Sequence, residues 1–574
     1  MRLIKYLKKY WLYAILSALC MVGEVLCDLF LPLRMAQIIN VGIKQSRMDV
    51  IYEQGIYMII LTILGGIGGY LSAVFSSIAS RKFANDLRKD VFKQTINFSW
   101  SQTDKFTAGS LVTRVTSDIT QIQMLVSMSV RMFVRTFSLF FGGIGFMVGI
   151  NPEFGIILLC VLPLQILVLI FFLKRVNPKF SEVQTALDDV NSCMKENVNG
   201  SRVVKAFGNE QYEADKFNNV STILADKNLS VQKLLSFMSP FLTFLLDVTI
   251  ILIIYVGGQK VFSDPTFEVG DVSAALTYIM QILMAVMNMG MLFQHVARAS
   301  ASAKRILEVL DTKPEIVSGT YQDTVNGEVE FRNVQFGYIK DTEPVLENIS
   351  FKLKQGETLA ILGATGSGKS TVVNLIPRFY DVTNGEILID GVNIKEYDIK
   401  YLRENIAVVL QKAEMFTGTI KDNIKWGKMD ATDEEIKEAA RIAQADSFIN
   451  KFSDGYDTII GEKGSTLSGG QKQRISIARA ILKKPKILIF DDATSAIDLK
   501  TEANLYKALR ETLKDTTFIL VAQRVASAKK AGKIMVLEDG RVSGIGTNDE
   551  LLENNEVYQD IYYSQLKKEE DVNE

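Results

Sequence analysis

A chain of 574 residues with 64 Lys and Arg against 65 Asp and Glu carries a formal charge of −1. It has room for two or more domains, and its charge balance excludes a nucleic-acid polyanion as the expected partner. Mean hydropathy is +0.15, an average over long apolar runs up to about Leu292 and an ordinary soluble α/β pattern after it.

The chain begins with Arg2, Lys5, Lys8 and Lys9, and an apolar run follows from Trp11 to about Ile39. No small-residue cleavage motif ends that run early, so it is read as a membrane helix rather than a leader. Six apolar stretches, near 11–39, 51–79, 130–150, 154–173, 235–257 and 272–293, are long enough to cross a hydrocarbon core of about 30 Å. Asn151-Pro152 and Ser263-Asp264-Pro265 mark short connections. The long connections after Ala79 and Leu173 carry Arg81, Lys82, Arg88, Lys89, Lys93, Arg114, Lys174, Arg175, Arg202 and Lys205. With the basic N-terminus, this places those segments, the N-terminus and the second half of the chain in the cytoplasm, in a multi-pass protein of the plasma membrane.

Apolar residues such as Phe83, Leu87, Val91 and Phe92 continue at helical spacing beyond the membrane stretches. A helix from about Ala108 to Ile150 would reach roughly 60 Å at 1.5 Å per residue, twice the membrane core. Breaks are expected near 100–104 and 208–209, with short transverse helices there that meet a cytoplasmic domain. Cys20, Cys27, Cys160 and Cys193 lack metal-ligand spacing and read as small apolar packing residues. His295, the one histidine, reads as structural.

Glu24, Asp28 and Asp247 interrupt the membrane runs. Charges at that depth should face a bundle interior or a wet cavity, and Glu24 and Asp28 share a helix face. They are candidates for a cavity that takes cationic or amphipathic substrates; pairing with Arg34, or protonation, is the bland alternative. Met280, Met284, Met287, Met289 and Met291 could line such a cavity or simply pack.

After a linker over 312–326, strand-like runs occur at 329–331, 349–353 and 358–362. The last feeds Gly363-Ala364-Thr365-Gly366-Ser367-Gly368-Lys369-Ser370-Thr371, and a helix begins there. This is the strand–loop–helix context of a phosphate-binding loop, in which backbone N–H groups cradle phosphates, Lys369 reaches the β/γ-phosphates of ATP and Ser370 holds Mg²⁺. Leu467-Ser468-Gly469-Gly470-Gln471 opens another helix and makes a second anion cradle. Two cradles in one small domain make sense if two domains face each other, each cradle serving a different ATP. Gln411 follows a strand at 406–410, Tyr338 offers a ring for adenine, and 487–491 is a strand ending in Asp491.

In this order the residues resemble the ATP-binding cassette transporter family over essentially the whole chain. The resemblance implies a half-transporter of the exporter type: a six-helix transmembrane domain (1–311), a linker (312–326) and an α/β P-loop nucleotide-binding domain (327–574). It implies that Tyr338 stacks adenine, that Gly363 to Thr371 are the Walker A segment and that Gln411 is the Q-loop residue, sharing Mg²⁺ with Ser370 and the Walker B acid Asp491. Leu467 to Gln471 resemble the signature, which acts on the opposite subunit's ATP, and Ser495-Ala496-Ile497-Asp498 resemble the D-loop, with Asp498 its acid. Gly461-Glu462-Lys463-Gly464 resemble a segment that contacts the membrane domain. Gly109, Arg114 and Asp118, and the run from Gly200 to Phe207, are similar to the family's cytoplasmic helices.

Two positions depart from the family pattern. Asp492 stands where the resemblance implies a catalytic Glu, and Gln523 where it implies a switch His. The Asp carboxylate lies one methylene, about 1.5 Å, further from an attacking water, and Gln523 donates a hydrogen bond but cannot carry imidazolium charge. The pattern is similar to the degenerate-site half of heterodimeric bacterial multidrug exporters. It implies an ATPase with weak catalysis at its own site, a second half-transporter as partner and amphipathic small molecules as cargo. A lipid or peptide exporter, an ATP-regulated membrane protein that transports nothing, and a working homodimer with harmless variants are the alternatives.

Overall fold

The computed structural model describes residues 2–264, 266–339 and 342–573, with side chains to 565 and none at Leu173, Ser239, Gly290, Met291, Phe293, Gln294 and Ala297. Two compact units result: Met1–Ile96 with Gly109–Thr312, and Asn97–Ala108 with Lys313–Glu574.

Among the described residues of the first unit, six helices are long and apolar enough to cross a membrane: Trp11–Ile43, Met48–Ile96, Ala108–Ile150, Pro152–Asn199, Glu210–Ser263 and Val269–Met289. The sixth belongs to a longer helix, Val269–Asp311. The helices therefore outrun the apolar stretches, as helical spacing in the polar segments predicts. The third span contains two π-helical turns, Arg114–Asp118 and Ser129–Phe133. The turn into the fourth span is capped by Asn151, whose side chain accepts from the Glu153 N–H, with Pro152 in the first helical turn.

Small residues set how closely the first two spans approach. Ser17 Oγ donates to the Ser72 carbonyl at 2.8 Å, and a Cβ on Gly68 would lie 3.1 Å from the Cys20 carbonyl oxygen. In lipid such close packing replaces the hydrophobic drive. The core of the unit gathers Val25, Leu29, Met147, Phe154, Ile253, Tyr278 and Ile282. Fourth and fifth spans are tied outside that core by Lys227–Glu182 at 2.8 Å and Lys216–Glu196 at 3.1 Å. Asp118, buried in its π-turn, accepts from Ser302 Oγ and Arg305 Nε, each at 2.8 Å.

Glu24 and Asp28 do not form an open acidic surface. Both pair with Arg135, Glu24 through Nη1 and Asp28 through Nη2 at 3.1 Å. Arg34, the partner expected from sequence, instead reaches Gln37 and Gln54 at 3.4 Å. Asp247 is exposed on the fifth span. Met280 and Met284 are exposed, and the side chain of Met291 lies outside the described residues. Removing Arg135 leaves two carboxylates without a counter-charge, which costs at most about 3–5 kcal/mol, less for a cation this exposed. Arg135→Ala is therefore expected to lower the thermal midpoint in detergent, and Arg135→Gln with Glu24→Gln and Asp28→Asn to recover much of it. An unchanged midpoint for Arg135→Ala would show that the acids draw their counter-charge elsewhere.

The second unit is built on a six-stranded sheet, order β12-β11-β3-β10-β9-β6, and a four-stranded antiparallel sheet, order β2-β1-β4-β5. The strands are β1 Val329–Phe336, β2 Leu346–Leu353, β3 Thr358–Gly363, β4 Asn384–Ile389, β5 Val392–Asn393, β6 Ile406–Val409, β7 Gly418–Thr419, β8 Ile459–Ile460, β9 Ile487–Asp491, β10 Thr517–Val521, β11 Lys533–Glu538 and β12 Arg541–Gly546. In the larger sheet β6, β9, β10, β3 and β11 run parallel. Their apolar residues are buried on both faces, as continuous runs such as Ile487-Leu488-Ile489-Phe490 require.

The segment 97–108 belongs to this unit although it is encoded between two membrane spans. It forms the helix Trp100–Phe106, started by a Ser99/Gln102 capping box. The Trp100 ring stacks on Phe379 with centroids 4.1 Å apart, and Asp104 accepts from the Tyr380 hydroxyl at 3.1 Å. The expected break at 100–104 is thus helical, and the turn falls just before it. The second transverse helix, Ser201–Phe207, follows Gly200 and ends at Gly208 in the left-handed conformation.

Candidate nucleotide site

Parallel strands bring their C-terminal ends to one edge, where open α/β sheets bind ligands. Here β3 delivers Gly363 to Thr371, β10 is followed by Gln523, β9 ends at Asp491 with Asp492 next, and β6 leads to Gln411. Val521 pairs with Ile361 on one side and Asp491 on the other, so residues separated by more than a hundred positions in sequence share one rim.

The loop after β3 needs its glycines. Gly366 and Gly368 have φ of +89° and +95°, a region that side chains strain to enter. A Cβ on Gly368 would also lie 2.7 Å from Leu346 Cδ2. Ala364, Thr365 and Gly366 form an exposed tip. Lys369 Nζ folds onto the loop, donating to the carbonyls of Gly363 at 2.9 Å and Ala364 at 2.6 Å. Burial depresses the Lys369 ammonium below the ordinary lysine range, against the pull of Asp492 and Asp491. Ser367 Oγ is buried without a hydrogen-bond partner among the described residues. A cradle of this kind, with an orphan hydroxyl and a cation beside it, fits a polyphosphate.

Ser370 Oγ donates to Asp491 Oδ1 at 2.7 Å. This hard-oxygen pair, next to a phosphate cradle, fits Mg²⁺. Asp491 is 6% exposed, and burial raises its carboxyl above the ordinary range, with the Ser370 hydroxyl pulling the other way. A carboxyl whose folded value is raised stabilises the fold least once pH exceeds that value, because the charge is then held against burial. Asp491→Asn is therefore expected to raise the melting temperature of the nucleotide-free, full-length protein at pH 7, by about 2–4 °C for each kcal/mol recovered. The gain should shrink as pH falls through the raised value and vanish below about 4, where both side chains are neutral. The same replacement should abolish Mg²⁺-dependent nucleotide binding, read by nucleotide fluorescence with and without Mg²⁺.

Asp492 sits at φ +50° and is 8% exposed. Its Oδ2 accepts from Gln411 Nε2 at 3.1 Å and from Gln523 Nε2 at 2.8 Å. Burial raises its carboxyl, and the Gln411 bond, Lys369 and Arg524 oppose that. The residues singled out in sequence at 411, 492 and 523 thus form one cluster, bound by two carboxamides. Tyr338 packs edge-on against Phe336 and Tyr380, and its hydroxyl lies 3.0 Å from Thr371 Oγ1. Half-exposed, the Tyr338 ring remains available for stacking.

Leu467 is buried, and Ser468 caps the helix Gly469–Leu482 through a capping box with Gln471. A Cβ on Gly470 would lie 2.7 Å from the Ala496 carbonyl oxygen, so the glycine pair packs on the segment preceding Asp498. Asp498 itself caps the helix Leu499–Thr512, accepting from the Thr501 N–H at 2.9 Å. At 461–464, Lys463 adopts φ +53° and its carbonyl accepts from Lys472 Nζ at 2.9 Å. Sequence reasoning missed Tyr380, which lies between Tyr338 and Asp104, and Gln565, whose carboxamide bonds the backbone of residues 523 and 525. Neither has a local signature; both are recruited by tertiary packing.

This architecture is that of an ATP-driven membrane transporter with the membrane and nucleotide units in one chain. The family model for the ABC transporter transmembrane region matches residues 14–286, and the family model described as ABC transporter matches residues 346–495. An uncharacterised ABC transporter ATP-binding protein of Bacillus subtilis (strain 168), YfiB, is 40% identical over 567 residues, covering 99% of this chain and 98% of that protein. The ATP-dependent lipid A-core flippase of Haemophilus influenzae (strain 86-028NP) is 32% identical over 558 residues, covering 96% and 94%. A solved bacterial Atm1-family ABC exporter with ATP bound shares the fold, with a TM-score of 0.80 over 97% of this chain and 98% of that one, at 24% identity. The chain belongs to the ABC transporter family, as a multi-pass half-transporter with one membrane and one ATP-binding domain and with the fold of an ABC exporter.

Proposed function

We propose that this chain is one half of a heterodimeric exporter of amphipathic small molecules, carrying the slowly hydrolysing ATP site and lending its signature to the partner's site. The carrying observation is the Asp492 carboxylate held by Gln411 and Gln523. Asp492 is too short to meet an attacking water where a Glu would, and Gln523 brings no positive charge to the γ-phosphate. Gly363 to Thr371 with Lys369 hold the triphosphate, and Tyr338 holds adenine. Ser370, Gln411 and Asp491 would hold Mg²⁺, which supplies charge neutralisation to the phosphates. The well-capped Leu467 to Gln471 segment has the geometry to complete a neighbour's site. The nucleotide unit and the N-terminus lie in the cytoplasm of a plasma-membrane protein, and tighter binding of ATP to the closed pair drives the switch of the membrane helices.

Lipid as the amphipathic cargo is favoured by relatives named as lipid A-core flippases. Glu24 and Asp28 remain cavity candidates, but a cationic cargo must compete with Arg135 for them. The test is co-purification with a candidate partner half-transporter, followed by separate replacement of each catalytic acid. Asp492→Asn should leave most of the ATPase activity, and the partner's acid should abolish it. Abolition by Asp492→Asn alone, or brisk turnover by this chain as a homodimer, overturns the division of labour. Flux of amphiphiles and of labelled lipid into vesicles separates the cargo classes.

A further inference from the structure

We propose that Gln565, on the C-terminal helix, is a positioning residue for the loop that aims Gln523 at Asp492. The inference rests on the reading of Asp492 and Gln523 as the hydrolytic pair. β10 ends at Val521 and a short helix resumes at Val525–Ala528, so the intervening backbone has groups that neither element satisfies. One carboxamide takes two of them: Gln565 Nε2 donates to the Gln523 carbonyl at 2.8 Å, and Gln565 Oε1 accepts from the Val525 N–H at 2.8 Å. A planar group bonded on both sides of Arg524 fixes the direction in which the Gln523 side chain leaves the chain. That side chain reaches Asp492 Oδ2 at 2.8 Å.

Packing does not do this job alone. An open cleft of about 620 Å³ borders Asp492, Gln523, Arg524 and Gln565, so the loop is not enclosed on that side. The helix Glu556–Asn573, by contrast, is well anchored. Tyr558 is fully buried, with its hydroxyl donating to Asn548 at 2.9 Å. Lys529 donates to the Tyr562 hydroxyl at 2.9 Å and sits 4.8 Å from its ring centroid. The C-terminal helix thus grips the stretch from Gln523 to Lys529 at two points, and the grip at Gln565 is the one that touches the hydrolytic pair.

The test uses the full-length chain with its partner half. Gln565→Met keeps the length and loses both bonds; Gln565→Glu keeps the acceptor for Val525 but sets an oxygen against the Gln523 carbonyl. Each is expected to cut single-turnover hydrolysis at this chain's site about tenfold with KM for ATP changed by less than about twofold. Gln565→Met should also speed amide exchange at Val525 about tenfold or more. Faster exchange with unchanged turnover would make Gln565 a structural tie and overturn the proposal, as would unchanged exchange. The same measurements are made in the Asp492→Glu, Gln523→His background. Failure of that background to gain activity would count against the slow-site reading alone, while Gln565 is still judged by turnover in the unaltered chain.

Discussion

Replacing Asp492 by Glu together with Gln523 by His is expected to raise ATP turnover at this chain's own site about a hundredfold. The added methylene carries the carboxylate about 1.5 Å further, past its present bonds to Gln411 and Gln523. The imidazole supplies a ring donor that can also carry charge. Glu must accept the left-handed backbone that Asp492 occupies at φ +50°, which a non-glycine residue tolerates at a cost of about 1–3 kcal/mol. That cost falls on folding and leaves the direction of the effect on turnover unchanged. Either replacement alone should give much less, since carboxylate and donor act on the same step and such effects do not add. The check is single-turnover hydrolysis in the complex with the partner's catalytic acid removed; equal rates for the double variant and the parent would show that Asp492 and Gln523 do not limit the reaction.

Gly470→Ala should have the opposite signature. Its Cβ would lie 2.7 Å from a backbone carbonyl, that of Ala496, so no side-chain rotation relieves the clash and the helix start must move against the segment leading to Asp498. A shift of about 1 Å in a cradle for developing charge costs on the order of a hundredfold. Under the proposed arrangement the loss appears in the partner's site, so total ATPase and transport fall together while ATP binding to Lys369 and its loop is kept. Retained ATPase activity with this variant would mean that the signature does not complete the productive site.

Much of this layout was legible in one dimension because membrane spans and phosphate loops are local signals. Apolar runs located all six spans, yet the fourth run, near 154–173, belongs to a helix that continues to Asn199, since hydropathy reports the bilayer and not the helix end. A short transverse helix was expected at the break near 100–104, and the helix Trp100–Phe106 does carry a readable start, Ser99 three residues before Gln102. The partner of Glu24 and Asp28 was beyond such reasoning: Arg34 is nearer in sequence, whereas Arg135 is brought there by helix packing. Asp491, Asp492, Gln411 and Gln523 converge because their strands are parallel neighbours, and a strand order is not written in any one strand. Gln565 shows the same limit, being an ordinary polar residue on an ordinary surface helix until the loop it holds is seen.

The grouping of residues 97–108 with Lys313–Glu574 means that the polypeptide passes between the two units three times, at 96/97, 108/109 and 312/313. No single cut can therefore yield either unit whole. A fragment beginning at 313 would lack Trp100 and leave the face of Phe379 bare, and it would lose the acceptor of the Tyr380 hydroxyl. Such a fragment is expected to self-associate through that aromatic patch, and supplying the twelve-residue insert as a fused segment should keep it monomeric. Sedimentation of the two preparations side by side would reveal whether the insert is what keeps an isolated enzyme module from sticking to itself.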